Sequence, residues 1–311
     1  MQRPTTKHHS QGMLRLGPVM LALFVLIWVG GCNSLFFQPD QIEYLRPHQF
    51  GLWHEEVRFT SSDGTSLHGW FLPARGRALG TVVHFHGNGA NISNHLPQVG
   101  WLPAQGYHVF TFDYRGYGLS DGDPEREAVV QDGVAALEYV RGRKDVDPKR
   151  MVVWGQSLGG AVAVASLARA GAEGVHLLVL EASFASYREI VRTIMDRSWV
   201  TWVFQYPVSR FFVSDAFSPR DEFAALADVP LLVVHSQRDP VVPFENGQAL
   251  HDTFPGADKA FWAIPSTQHL GHFTMGGSHG RKLLDYMQAK LPPLPPEGFR
   301  FRTGSTPTHP R

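Results

Sequence analysis

Residues 151–165 read Met151-Val152-Val153-Trp154-Gly155-Gln156-Ser157-Leu158-Gly159-Gly160-Ala161-Val162-Ala163-Val164-Ala165. The four apolar residues from Met151 to Trp154 have the length and character of a buried strand, and the run after Gly160 continues as a helix. Between them lies Gly-x-Ser-x-Gly, a spacing that says little alone in a chain with 31 glycines. Set between strand and helix, it describes a turn so sharp that side chains two residues before and after Ser157 would clash. Both of those positions, Gly155 and Gly159, are glycine. The helix that follows aims its free N–H groups and the positive end of its dipole at charge developing beside the serine. Ser157 is therefore the candidate nucleophile; an ordinary strand-to-helix turn is the alternative.

Outward from this centre the same rhythm repeats. The spacing predicts strands over 81–86, 108–114, 151–156, 177–181, 231–236 and 261–264. Helical patterns fall between and after them, at 91–102, 125–141, 158–170, 243–253 and 277–291. Alternation of this kind predicts an α/β fold with a mostly parallel central sheet flanked by helices. Ahead of it, Tyr44 to Pro73 reads as two or three strands. HEEVRFT alternates, Ser61-Ser62-Asp63-Gly64 turns, and SLHGWFL returns as the second arm of a hairpin. An insertion at about 183–228, rich in aromatics such as Trp199, Trp202 and Phe211, predicts a small helical cap.

A serine hydroxyl needs a base, and the base needs a carboxylate to orient it. With a nucleophile on such a turn, the acid and then the histidine follow in the chain. Asp239 lies just beyond the strand Leu231–Ser236, where open α/β sheets place their sites, and Pro240 holds it extended. Glu181, at the end of the preceding strand, competes with it. For the base, His269 in the loop after the last strand is favoured over His272. The oxyanion donors are assigned to the backbone N–H groups of Leu158 and Asn88, the latter from His84-Phe85-His86-Gly87-Asn88-Gly89-Ala90-Asn91, with Gly89 as the alternative. His86 precedes the nucleophile and reads as a satisfied histidine bracing that loop.

HGNGAN at His86–Asn91, DYRGYGLSDG at Asp113–Gly122, GQSLGG at Gly155–Gly160 and RDPVVP at Arg238–Pro243, with a late histidine, resemble the esterase-like alpha/beta hydrolases, including relatives of the serine aminopeptidase type. The likeness runs from about Trp53 to Leu291. It implies the alpha/beta-hydrolase fold, with Ser157 as nucleophile, Asp239 as acid and His269 as base, and it implies a structural turn at Asp113–Gly118. Ser266-Thr267-Gln268-His269 departs from the pattern in having no glycine before its histidine. The expected activity is hydrolysis of acyl esters through an acyl-enzyme. A peptidase or acyltransferase using the same triad, or a non-catalytic binding module on the scaffold, are the alternatives.

Composition narrows the partners. Among 311 residues, 28 basic side chains balance 28 acidic ones, so no field favours nucleic acid. His269 and His272 could share a metal, but no HExxH or cysteine cluster completes a site, so neither metal nor cofactor is expected. The one cysteine, Cys32, follows an apolar run, Val19 to Gly31, which is itself preceded by Arg3, Lys7 and Arg15. This is the layout of an export signal, and Val29-Gly30-Gly31-Cys32 resembles a bacterial lipobox with Val in place of the commoner Leu. Residues 1–31 are thus expected to be a cleaved signal, with Met13 a more typical start, and Cys32 to carry fatty acid on an extracytoplasmic, membrane-anchored domain spanning 32–293. The alternative is an uncleaved anchor, but a run this short spans only about 20 Å as a helix, against a hydrocarbon core of roughly 30 Å. Residues 294–311 read as a disordered tail.

Overall fold

The computed structural model describes residues 36–197, 201–273 and 278–294. The leader, Cys32 and all but the first residue of the expected tail lie outside them. A short strand β1 (Gln38–Pro39) precedes the hairpin of β2 (Glu55–Thr60) and β3 (Ser66–Leu72). Next come β4 (Gly80–Phe85), β5 (Gly89–Ala90), α1 (Ile92–Val99), β6 (Tyr107–Phe112), α2 (Arg126–Gly142), β7 (Met151–Gln156) and α3 (Leu158–Ala170). β8 (Val175–Glu181) leads into α4 (Tyr187–Asp196), α5 (Gln205–Phe212) and the short α6 (Pro219–Glu222). β9 (Leu231–Ser236), α7 (Phe244–Thr253), β10 (Lys259–Ile264) and α8 (Ser278–Lys290) complete the order.

The main sheet runs β10-β9-β8-β7-β4-β6-β3-β2, parallel from β10 to β6 and antiparallel across β3 and β2. Its central strands β4, β7 and β9 are buried at every position, as strands covered on both faces must be. Alternate residues feed two cores. Val83, Val153, Leu178 and Val233 pack on one side, while Val82, Val152, Leu177 and Leu232 pack on the other. The edge strand β2 buries only Val57 and Phe59, which is why its sequence alternates.

The predicted α/β architecture is the one observed, and most elements end within two residues of expectation. The helix expected over 91–102 stops at Val99 and gives way to a 3₁₀ turn at Leu102–Gln105. Upstream of the hairpin, Pro47–Phe50 is a 3₁₀ turn rather than a third strand. Between β8 and β9 the described residues form the helices α4, α5 and α6. Asp215 anchors this insertion by accepting hydrogen bonds from Ser186 and Ser218 and pairing with Arg220.

Candidate active site

Ser157 sits where β7 meets α3, with φ 52° and ψ −121°. This left-handed backbone costs a side-chain-bearing residue roughly 1–3 kcal/mol, so the surroundings must enforce it. They do so through glycine. A Cβ on Gly159 would lie 2.2 Å from the His86 carbonyl oxygen, and one on Gly155 would lie 2.5 Å from the Gly160 Cα. The Ser157 N–H donates to the Glu181 carbonyl at 2.9 Å, stitching the turn to β8. The serine hydroxyl does not cap α3. Leu158 opens that helix, so its N–H is among those with no intrahelical acceptor.

Asp239 and His269 come together from two different strand ends. Asp239 follows β9, and its Oδ1 accepts from the N–H groups of Val241 and Val242 at 2.8 and 2.9 Å. His269 lies in the loop after β10, and its Nδ1 donates to Asp239 Oδ2 at 2.8 Å. That contact leaves Nε2 as the ring nitrogen free of the carboxylate. Burial alone would raise the Asp239 carboxyl, but the bonds from His269, Val241 and Val242 outweigh it and hold the acid below its ordinary range.

The competing candidates have other partners. His272 Nε2 lies 2.8 Å from Ser236 Oγ. That hydroxyl donates to the Gln268 carbonyl, so the imidazole is the donor to it. Glu181 is buried, and its Oε2 accepts from Gln156 Nε2 at 2.7 Å. Its Oε1 has no partner among the described residues, and burial pushes its carboxyl up to about 7. Gln156 also accepts from His84 Nε2 at 2.9 Å, and His84 Nδ1 lies 2.9 Å from Thr111 Oγ1. A buried polar chain thus crosses four strands behind Ser157, and burial holds the His84 pKa down to about 3.

His86 is less satisfied than its sequence position suggests. It stacks on Tyr114 at 4.3 Å and its Nδ1 meets the Gly87 carbonyl, but its Nε2 has no partner among the described residues. Asp113 serves structure. Its Oδ1 accepts from the Ile92 N–H at 2.9 Å and its Oδ2 lies 3.1 Å from His68 Nδ1. Among the described residues, no three His, Cys, Asp or Glu side chains are placed to hold a metal ion, and no helix is long and apolar enough to cross a membrane.

A strap at the start of the described chain has no signature in the sequence. β1 pairs in parallel with β5, bringing Gln38 against Gly89. The Gln38 N–H donates to Asn88 Oδ1 at 2.8 Å, and the Tyr117 hydroxyl donates to the same oxygen at 3.0 Å. Asn91 Nδ2 donates to the carbonyls of Asp40 and Ile42. The loop that carries Asn88 and Gly89 is therefore clamped from outside the sheet. Only Asn91, an N-cap type ahead of a helical pattern, hints at this beforehand.

Ser157, Asn88 and Leu158 open onto a pocket of about 290 Å³. Phe36, Phe184, Ile190, Met195, Val208 and Val242 contribute much of its wall. Among the described lining residues only Asn88 and Ser157 have polar side chains, and none is charged.

A family model described as serine aminopeptidase, S33 matches residues 76–223. The uncharacterized protein YfhR of Escherichia coli K12 is 33% identical over 285 residues, covering 87% of this chain and 95% of that one. The alpha/beta hydrolase domain-containing protein WAV2 of Arabidopsis thaliana is 30% identical over 243 residues, covering 75% and 78%. The lysophosphatidylserine lipase ABHD12 of Danio rerio is 31% identical over 224 residues, covering 67% of this chain and 57% of its own length. The Pyrococcus furiosus esterase Pf2001 superposes with a TM-score of 0.65 at 19% identity, covering 83% and 98%, a likeness of fold. Strand order, serine turn and sequence relationship agree: the chain belongs to the alpha/beta-hydrolase superfamily of serine hydrolases.

Proposed function

We propose that the chain is a membrane-anchored carboxylic ester hydrolase acting through an acyl-enzyme. Ser157 attacks the ester carbonyl, His269 Nε2 takes its proton, and Asp239 orients and stabilises the imidazolium. The N–H groups of Leu158 and Asn88 receive the oxyanion, each donor supplying roughly 3 kcal/mol of transition-state stabilisation. The proton passes from His269 to the leaving alcohol. Water, activated by the same imidazole, then releases the acid.

The observation that carries this reading is the wall of the pocket beside Ser157. An acyl chain needs apolar lining and no counter-charge, and the described lining residues offer that. A free α-amino group would need a carboxylate, which they do not offer. The pocket volume sits near the lower end of the roughly 300–1,000 Å³ usual for ligand sites, which suits one acyl chain rather than two. Lysophosphatidylserine, for which the relative ABHD12 is named a lipase, carries the same class of bond. Cys32 provides the anchor in this reading, with the domain on the extracytoplasmic side.

The test is a substrate panel on the full chain. 4-Nitrophenyl esters of increasing acyl length should be cleaved much faster than aminoacyl anilides. Faster turnover of the anilides would replace the esterase reading with the peptidase one. A fluorophosphonate probe should label the wild type and not Ser157→Ala; failure to label the wild type would leave only a binding role.

A further inference from the structure

The apolar surface of this molecule is concentrated at one place. Of the fourteen large apolar side chains that are exposed among the described residues, eight lie between Ile194 and Phe212 or at Val241. Phe211 is 79% exposed, Tyr206 66% and Trp202 53%, all on or beside α5. Scattered apolar residues need no explanation, but a cluster of this kind marks a contact surface. It is also continuous with the pocket: Ile194 and Val241 line the cavity while each remains about half exposed. The same two helices, α4 and α5, thus wall the pocket with one side and face outward with the other.

Two observations identify what covers this face. The first is where the chain enters. Phe36 lines the pocket, and Cys32, at the end of the apolar run Val19–Gly31, precedes it by four residues. At no more than about 3.6 Å per residue, the Cys32 Cα stays within about 15 Å of Phe36. A lipid surface holding Cys32 is therefore held beside the pocket mouth as well. The second is charge and residue type. From Tyr187 to Phe212 the sequence has Arg188, Arg192, Arg197 and Arg210 against Glu189 and Asp196. The Arg192 guanidinium lies 5.6 Å from the centre of the Tyr206 ring, and Arg210 is exposed. Tryptophan and tyrosine with nearby cations are the residues favoured at the boundary between headgroups and acyl chains.

We propose that the face carrying Trp202, Phe204, Tyr206 and Phe211 docks on the bilayer that holds Cys32, so that a long-chain ester passes from the lipid into the pocket without crossing water. The proposal rests on the anchored ester-hydrolase reading above. A lipid on Cys32 tethers the domain without fixing how it lies on the surface, and a second apolar contact would orient the pocket mouth toward the bilayer.

The experiment uses the full chain reconstituted in phosphatidylcholine–phosphatidylglycerol vesicles. Trp202 emission, taken as the difference between wild type and Trp202→Phe, should be quenched by lipids brominated on the acyl chain. The triple variant Phe204→Ser, Tyr206→Ser, Phe211→Ser should lose about tenfold or more in turnover of a long-chain ester carried in the vesicles, since each exchange removes an apolar side chain from the lipid contact. Its rate on dissolved 4-nitrophenyl butyrate should stay within about twofold, which also reports that it folds. Unquenched Trp202 emission, or unchanged turnover of the vesicle-borne ester by the triple variant, would overturn the proposal. So would a dimer that the triple variant dissolves, which would make the face an interface between copies. If Trp202 is quenched and neither ester is cleaved, docking stands and the esterase reading fails.

Discussion

In the proposed mechanism Ser157 relies on Asp239 and His269, which come from distant parts of the chain, and that reliance sets what its neighbours can tolerate. Ser157→Ala and His269→Ala should each lower kcat by about 10⁴ or more, because the triad acts as a unit. Asp239→Ala should cost somewhat less, since it only orients and stabilises the base. His272→Ala is the matched control: its imidazole bonds Ser236 rather than Asp239, so activity should stay within about tenfold. If His272→Ala instead matches the loss at His269→Ala, the roles given to the two histidines are wrong. Glu181 calls for a different substitution, because truncating a buried hydrogen-bonded carboxyl would leave the Gln156 Nε2 donor without its acceptor. Its folded pKa of about 7 lies above the ordinary carboxylate value. Below the ordinary value both folded and unfolded forms are protonated. Between there and about 7 only the unfolded chain has released its proton, so stability falls as pH rises, by on the order of 3 kcal/mol. Glu181→Gln should flatten that slope, and its melting temperature should exceed wild type at pH 8 by more than at pH 5. Parallel pH profiles for the two proteins would show that Glu181 does not set the dependence.

At the scale of elements, the turn between β7 and α3 works because three segments meet there without a side chain between them. The added methyl of Gly159→Ala would fall 2.2 Å from the His86 carbonyl and 2.3 Å from that of Phe85. Neither backbone can move without shifting the end of β4. This substitution should cost about 2–4 kcal/mol of stability and most of the activity, as read by denaturant melts and ester turnover. An alanine that leaves both intact would mean the turn is looser than described. The strap makes a subtler case. Asn88→Ala keeps the backbone N–H but removes the acceptor shared by the Gln38 N–H and the Tyr117 hydroxyl. Loss of this clamp should lower kcat by about tenfold, with little change in KM, since the oxyanion exists only after attack. A change confined to KM would place Asn88 in substrate binding instead.

For the whole molecule, the proposal turns on how an acylated Cys32 would stand relative to the pocket. Cys32→Ser should leave a precursor that retains its leader and takes up no fatty-acid analogue in metabolic labelling. Equal labelling of wild type and variant would refute acylation at this cysteine. Arg197 adds a link at this scale: it donates to the carbonyls of Pro240 and Asp239, tying the end of α4 to the loop that carries the acid.

The order of strands and helices, the parallel centre of the sheet and the turn at Ser157 were legible in the sequence. Each depends on residues within a few positions of one another: glycines beside the serine, apolar runs of strand length, turn residues at Ser61–Gly64. The partners of Asp239, Glu181 and Asn88 were a different matter. Asp239 and His269 are 30 positions apart, Gln156 and Glu181 are 25, and Gln38 and Asn88 are 50. For the base alone, local pattern narrows the choice to two, His269 and His272, because both stand in the same loop after the last strand. Only the folded chain could pair one with the carboxylate and the other with Ser236. The strap was invisible for a related reason: it contributes mainly backbone groups to its contacts, such as the Gln38 N–H and the carbonyls of Asp40 and Ile42, which any sequence able to lie extended there can offer. The pocket, likewise, is a space between elements, and its apolar wall becomes a property of the protein only when Phe36, α4, α5 and the loop after β9 converge on Ser157.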